Sequence, residues 1–265
     1  MTDLTDMDFP ILKQIQQQSQ AQHPMLAVLI DPDKAQDQEA LRPLIQHCNQ
    51  HQVDFIFVGG STVQKGHTSQ TVQFIKENTK IPVLLFPGHS NQICEQADAL
   101  LFLSLISGRN PEFLIGHHIK AAQTLRKWQM ETIPTGYLLI DGGRITSVAA
   151  VSQTIPLPAD QAELITSTAL AGTLLGMKLI YLEAGSGALQ AVTEEVISLS
   201  KQQLDVPLIV GGGINNAEKA QRAWQAGADI IVMGNSLEQT PDLLPKIIEI
   251  RQNFREKTEI QPNIY

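Results

Sequence analysis

Short apolar runs rich in β-branched residues alternate with longer stretches of mixed polarity along almost the whole chain. This alternation is the pattern of βα units feeding a parallel sheet, whose strands are buried on both faces. Eight runs read as strands: Met25 to Ile30, Phe55 to Val58, Pro82 to Phe86, Ala99 to Leu103, Thr135 to Ile140, Lys178 to Leu182, Pro207 to Val210 and Ile230 to Met233. The intervening polarity predicts helices over Gln36 to Gln50, Thr68 to Asn78, Glu112 to Gln129, Gln161 to Gly176, Leu189 to Lys201, Ala217 to Ala226 and Asp242 to Arg255. Several of these open on an acid or hydroxyl residue suited to a cap. Eight such units in 265 residues predict a single (β/α)8 TIM-barrel domain, a fold of roughly 250 residues. The barrel proper is expected between about residues 24 and 252, and a doubly wound open sheet is the alternative. Two units depart from the pattern. The stretch PGHSNQICEQAD after Phe86 has little room for a helix, so the third helix is expected to be short or missing. The segment Asp141 to Asp160 is long for a βα loop and would form a lid or rim at the C-terminal face.

Composition narrows the function classes. With 43% hydrophobic and 17% charged residues, the chain can bury a large core without staples. Cys48 and Cys94 are too few for a disulfide framework and have no metal-type spacing. The glutamine-rich stretch KQIQQQSQAQ offers neither a basic nor an apolar leader, and no run is long enough to span a bilayer. A cytoplasmic location follows as the expectation. A formal charge of −8 argues against nucleic acid as a partner, since phosphate backbones are bound by clustered Lys and Arg. An acidic chain that binds an anion must do so locally, with backbone donors, helix ends or a metal ion.

Such donors are concentrated near the C-terminal end. Three glycine-rich segments, Tyr181 to Gly187 (YLEAGSG), Gly211 to Ile214 (GGGI) and Gly234-Asn235, each follow a strand and precede a helix. Glycine removes the Cβ that would hold a ligand away, and the helix end adds partial positive charge. Three in succession on neighbouring units read as a phosphate grip, which TIM barrels commonly place after their last strands. On the opposite side of the mouth, the first two strands end in Asp31-Pro32-Asp33-Lys34 and Gly59-Gly60-Ser61-Thr62. Taken alone, Asp31 reads as a helix cap. Facing a phosphate grip, a carboxylate and a hydroxyl form a sparse oxygen set of the kind that suits Mg²⁺, which keeps several waters and takes ligand phosphate oxygens. Glu183 ends its strand among the glycines, with Tyr181 on the same side, and is placed to act as a general base on a substrate hydroxyl; ordering the loop is the competing role.

The motifs DPDK, GGST, YLEAGSG, GGGI and GN, in this order and at these intervals, resemble the geranylgeranylglyceryl phosphate synthase family, which includes heptaprenylglyceryl phosphate synthases. The resemblance runs from about Leu26 to Ile247, and YLEAGSG is its most specific part. It implies a Mg²⁺-dependent TIM-barrel prenyltransferase that alkylates the 3-hydroxyl of sn-glycerol 1-phosphate with a polyprenyl diphosphate. It further implies Mg²⁺ on Asp31 and Ser61, and glycerol phosphate held by Tyr181, Leu182, Glu183, Ala184, Gly185, Ser186, Gly187, Gly212, Gly213, Gly234 and Asn235, with Glu183 taking the hydroxyl proton. Loss of a regular third helix is also a trait of this family. Heptaprenyl members carry a lysine two positions before the metal aspartate, where this chain has Leu29, which favours geranylgeranyl diphosphate.

A prenyl donor needs a dry groove, and Phe86, Leu101, Leu103 and Leu105 are candidates for its wall, although each alone reads as barrel filling. His89, His117 and His118 lack a metal-ligand pattern, and the His-His pair reads as a solvated helix face. Arg109 is divided between a diphosphate clamp and a surface role. Trp128 is a candidate packing or subunit contact in an expected homo-oligomer, and a lipid product would bring a transient membrane contact. Two other readings compete: a metal-free phosphate-binding barrel of the indole-glycerol phosphate or ribulose phosphate type, and a non-catalytic phosphate-binding barrel. The DPD and GGS strand ends oppose the first, and intact Asp31 and Glu183 oppose the second.

Overall fold

The computed structural model describes residues 9–260 other than 62, 64–66, 235, 238, 239 and 241, with side chains up to residue 256. The strands are β1 (Met25–Ile30), β2 (Phe55–Val58), β3 (Val83–Leu85), β4 (Ala99–Leu105), β5 (Glu131–Leu139), β6 (Leu179–Glu183), β7 (Leu208–Gly211) and β8 (Ile230–Met233). They pair in chain order, all parallel, and β8 pairs with β1 to close the barrel. Around them lie α2 (Gln38–Gln50), α3 (Thr68–Asn78), α4 (His117–Trp128), α5 (Ser147–Ser152), α6 (Ala162–Leu174), α7 (Glu194–Gln203), α8 (Ala217–Gln225) and α9 (Leu243–Ile260), with α1 (Pro10–Gln20) ahead of the first strand.

Successive strand residues point to opposite faces, and this divides the core in two. Met25, Ala27, Phe55, Phe57, Leu179 and Tyr181 fill the lumen, while Leu26, Val28, Ile56, Val58, Ile180 and Leu182 pack outward under the helices. No helix lies between β3 and β4; residues 86–98 form turns and bends. The expected loss of the third helix is therefore observed.

The chief addition to the predicted elements is α1, which the glutamine-rich stretch concealed. Its Ile11 and Ile15, four residues apart on one face, plug the bottom of the lumen. The start of α1 has no side-chain cap of its own and has Pro at its first position. The buried Glu131 takes that role from β5: its carboxylate accepts the N–H of Ile11 at 3.0 Å and of Leu12 at 2.8 Å. β5 begins at Glu131 and not at Thr135 because residues 131–134 pair with Ala99 to Phe102 of β4. Glu131→Ala leaves those donors buried without an acceptor, so it should lower the unfolding free energy by about 1–3 kcal/mol. Chemical denaturation is the check, and the barrel mouth should be unaffected because the contact lies at the opposite end of the barrel.

Two predicted helix starts also move. Asp37 caps α2, its carboxylate accepting the N–H groups of Glu39 and Ala40. Thr193 caps α7 by accepting the Val196 N–H, so that helix begins at Glu194 and leaves Leu189 in an exposed loop.

Candidate active site at the barrel mouth

The ends of β1, β2, β6, β7 and β8 surround a cavity of about 490 Å³ at the C-terminal mouth. Asp31, Ser61, Tyr181, Glu183, Gly185, Ser186, Gly187, Gly212, Gly213 and Gly234 all line it. Residues as far apart in sequence as Asp31 and Gly234 thus meet in one space. Leu182 and Ala184 are buried in the outer layer beneath the helices, so their side chains do not enter the cavity. Asn235 lies outside the described residues.

Glu183 is the central charged group. Its side chain is buried, and its Oε1 accepts the Gly185 N–H at 2.6 Å. Burial pushes its carboxyl up to about 7, against the downward pull of the Gly185 N–H and the Tyr181 hydroxyl. A carboxylate with that value changes protonation near neutral pH, as a general base must. Gly212, with φ of +78°, allows the loop after β7 to come this close: a Cβ there would overlap both the Gly185 nitrogen and Glu183 Oε1.

Aromatic packing holds Tyr181 beside it. Phe86 stacks on Tyr181 at 5.2 Å between ring centroids, and Tyr137 meets it edge-on at 5.3 Å. Burial and the charge of Glu183 raise the tyrosine hydroxyls well above their ordinary range, so both stay protonated. The Tyr181 hydroxyl lies beside Glu183 without a well-formed hydrogen bond. It is a buried donor on the cavity wall, available to an incoming oxygen.

Across the mouth, Asp31 Oδ1 accepts the Asp33 N–H at 3.0 Å. The capping role weighed for Asp31 belongs instead to Asp37. Burial raises the Asp31 carboxyl, while the Asp33 N–H and Lys34 act against that rise. The chain at Gly60 passes so near that a Cβ would sit 3.3 Å from Asp31 Oδ1, and Gly60 and Ser61 share the cavity wall with it. Among the described residues no group of three His, Cys, Asp or Glu side chains is arranged to hold a metal ion. Asp31 and Ser61 share the cavity wall, and a carboxylate with a hydroxyl is a sparse, hard donor set of the kind that suits Mg²⁺ with waters and ligand phosphates completing the shell.

Where the third helix is absent, an apolar cleft opens beside the cavity and shares Gly60, Ser61, Phe86, Tyr137 and Val148 with it. Phe86, Leu101, Leu103 and Leu105 all line this cleft. The histidines depart from their sequence reading as a solvated face. His118 is buried edge-on to Phe102 at 4.2 Å, and His117 lies 4.3 Å from His89 and 5.0 Å from Phe113. Burial lowers both His117 and His118, so at neutral pH they are uncharged rings in an apolar wall. Phe113, missed in the sequence, stands four residues before His117, a spacing that puts both on one helical face. Arg109 donates to the Gly108 carbonyl at 2.7 Å and lies in a shallow pocket against α6, outside the mouth. Trp128 is half-buried against the outer core. The segment Asp141 to Asp160 forms part of the rim, with Ser147 and Val148 on the cavity wall.

Residues 17–251 match the PcrB family. The chain belongs to the PcrB family. This PcrB-family chain is 50% identical over 234 residues to a protein of Zunongwangia profunda named geranylgeranylglyceryl phosphate synthase, covering 86% of this chain and 97% of that one. A protein of the same name from Pyrococcus horikoshii is 43% identical, covering 82% and 84%. Among solved structures, (S)-3-O-geranylgeranylglyceryl phosphate synthase of Thermoplasma acidophilum in complex with its substrate sn-glycerol-1-phosphate superposes with a TM-score of 0.85. The two are 35% identical, and the match covers 91% of this chain and 98% of that one.

Proposed function

We propose that this chain is a geranylgeranylglyceryl phosphate synthase. It forms an ether bond between the 3-hydroxyl of sn-glycerol 1-phosphate and the terminal carbon of a polyprenyl diphosphate, preferentially geranylgeranyl diphosphate, with release of diphosphate. The observation that carries this reading is the joining of three surfaces in one mouth: the glycine backbone of the last strand ends, the buried Glu183 carboxylate, and an apolar cleft that begins beside Asp31 and Ser61. The relatives' shared name and the bound sn-glycerol-1-phosphate of the Thermoplasma enzyme support it.

In this reading the acceptor phosphate lies on the backbone of Gly185, Gly187, Gly212 and Gly213, and Tyr181 donates to an acceptor oxygen. The 3-hydroxyl then faces Glu183, which takes its proton as the hydroxyl oxygen bonds to the prenyl carbon; the carbon–oxygen bond to diphosphate breaks, and its electron pair leaves with diphosphate. Asp31 and Ser61 would hold Mg²⁺, which when bound neutralises charge on the departing diphosphate. Phe86, Leu103 and Phe113 keep water from the electrophilic carbon. Release of a lipid product entails transient contact with a membrane surface, and homo-oligomer formation and a cytoplasmic location belong to the same reading.

Purified protein supplied with sn-glycerol 1-phosphate and prenyl diphosphates of graded length should yield the mass of a prenyl ether of glycerol phosphate, most abundantly the geranylgeranyl ether. Glycerol 3-phosphate should be a much poorer acceptor, because the cradle holds the phosphate in one pose relative to Glu183. Diphosphate release without an ether product, or equal use of both acceptors, would overturn the assignment.

A further inference from the structure

Two cations sit behind the glycine cradle. Arg144, on the segment after β5, reaches across to the loop after β6, where its Nη1 donates to the Gly187 carbonyl at 3.2 Å. Lys219, in the first turn of α8, turns back over the loop after β7, and its Nζ donates to the Gly213 carbonyl at 3.0 Å. The two side chains come from unrelated segments and meet equivalent atoms. Gly187 closes the glycine cluster of the first loop and Gly213 that of the second. Among the described residues neither cation has a carboxylate within salt-bridge distance, so neither charge is cancelled locally.

The consequence follows from the geometry of the peptide group. A carbonyl and the amide N–H of the next residue point in opposite directions, so a cation on the carbonyl orients and polarises that peptide. The next residues are Ala188 and Ile214, and both line the cavity. At Gly187 the following N–H closes the turn onto the Gly185 carbonyl at 3.1 Å, so Arg144 steadies the turn that carries the cradle. At Gly213 Lys219 acts on the peptide whose N–H belongs to Ile214. In a chain of net charge −8, two uncancelled cations next to the cradle also offset the repulsion that a dianionic phosphate meets on entry.

We propose that Arg144 and Lys219 are positioning residues for the acceptor phosphate, setting its affinity through the carbonyls of Gly187 and Gly213. The proposal rests on the reading of this cradle as the acceptor's phosphate site. Arg144→Gln and Lys219→Gln should each raise KM for sn-glycerol 1-phosphate by about tenfold, with kcat at saturating acceptor within about twofold and KM for the prenyl diphosphate unmoved. Calorimetric binding of inorganic phosphate to the substrate-free protein should weaken by the same factor. That measurement needs no turnover, so it separates failure of this proposal from failure of the assigned reaction. Arg144→Lys and Lys219→Arg keep the charge and should recover most of the affinity, which a purely structural loss would not do. Wild-type phosphate affinity in both glutamine variants, or a loss of kcat at unchanged KM, overturns the proposal. A wild-type protein that binds no phosphate overturns the reading of the cradle beneath it.

Discussion

Glu183→Gln is expected to lower kcat by about 10²–10⁴-fold, the range typical of losing a positioned general base. The amide keeps the shape of the side chain, and the glycine backbone still holds the phosphate, so the acceptor Kd should change little. A single-turnover rate and a calorimetric Kd on the same variant separate base from anchor. A variant that binds weakly but reacts at the wild-type single-turnover rate would reduce Glu183 to an ordering group for its loop. The raised carboxyl adds a pH signature. Only the deprotonated form can accept a proton, so wild-type kcat/KM should fall about tenfold per pH unit below about 7, and the variant should lack that limb. Stability runs the other way. The folded carboxyl titrates near 7 and the unfolded one near the ordinary carboxyl value of 4.5, so between these values the unfolded chain releases its proton first. The contribution is present below about 4.5 and is lost as pH rises through about 7. At pH 8 the substrate-free glutamine variant should therefore melt above the wild type.

Asp31→Asn should be comparably damaging to turnover, by about 10³-fold, if this carboxylate supplies the charge that holds Mg²⁺ on the departing diphosphate. Folding should be spared. The amide oxygen still accepts the Asp33 N–H, and burial already disfavours the ionised carboxyl. Activity titrated against Mg²⁺, beside a melting curve, is the measurement. The variant should require far more Mg²⁺ or remain inactive at saturation, with Tm within a few degrees of wild type. Wild-type turnover at the same Mg²⁺ concentration would remove Asp31 from the metal site, whereas a collapsed melting transition would show that the carboxylate is needed for the fold.

The barrel was legible along the chain because a parallel strand is buried on both faces, so each strand appears as an unbroken apolar run. The glycine clusters were legible because the demand for a positive φ at Gly212, or for a bare approach to Asp31 at Gly60, is local and only glycine meets it. Glu183 and Asp31 stood out by sitting where those runs end. Other features depended on partners far away in sequence. The helix Pro10–Gln20 offers two isoleucines among glutamines, and what terminates its start is Glu131, about 120 residues later. Asp31 reads as the cap of the helix after the first strand; only the path of the chain gives that helix to Asp37. The histidines and Phe113 became cleft wall because the missing third helix leaves a void beside the fourth strand, and a void has no sequence signature. The shift of Glu183 to about 7 likewise comes from desolvation by every group packed around it, a property of the assembled mouth that no neighbouring residue in the chain encodes.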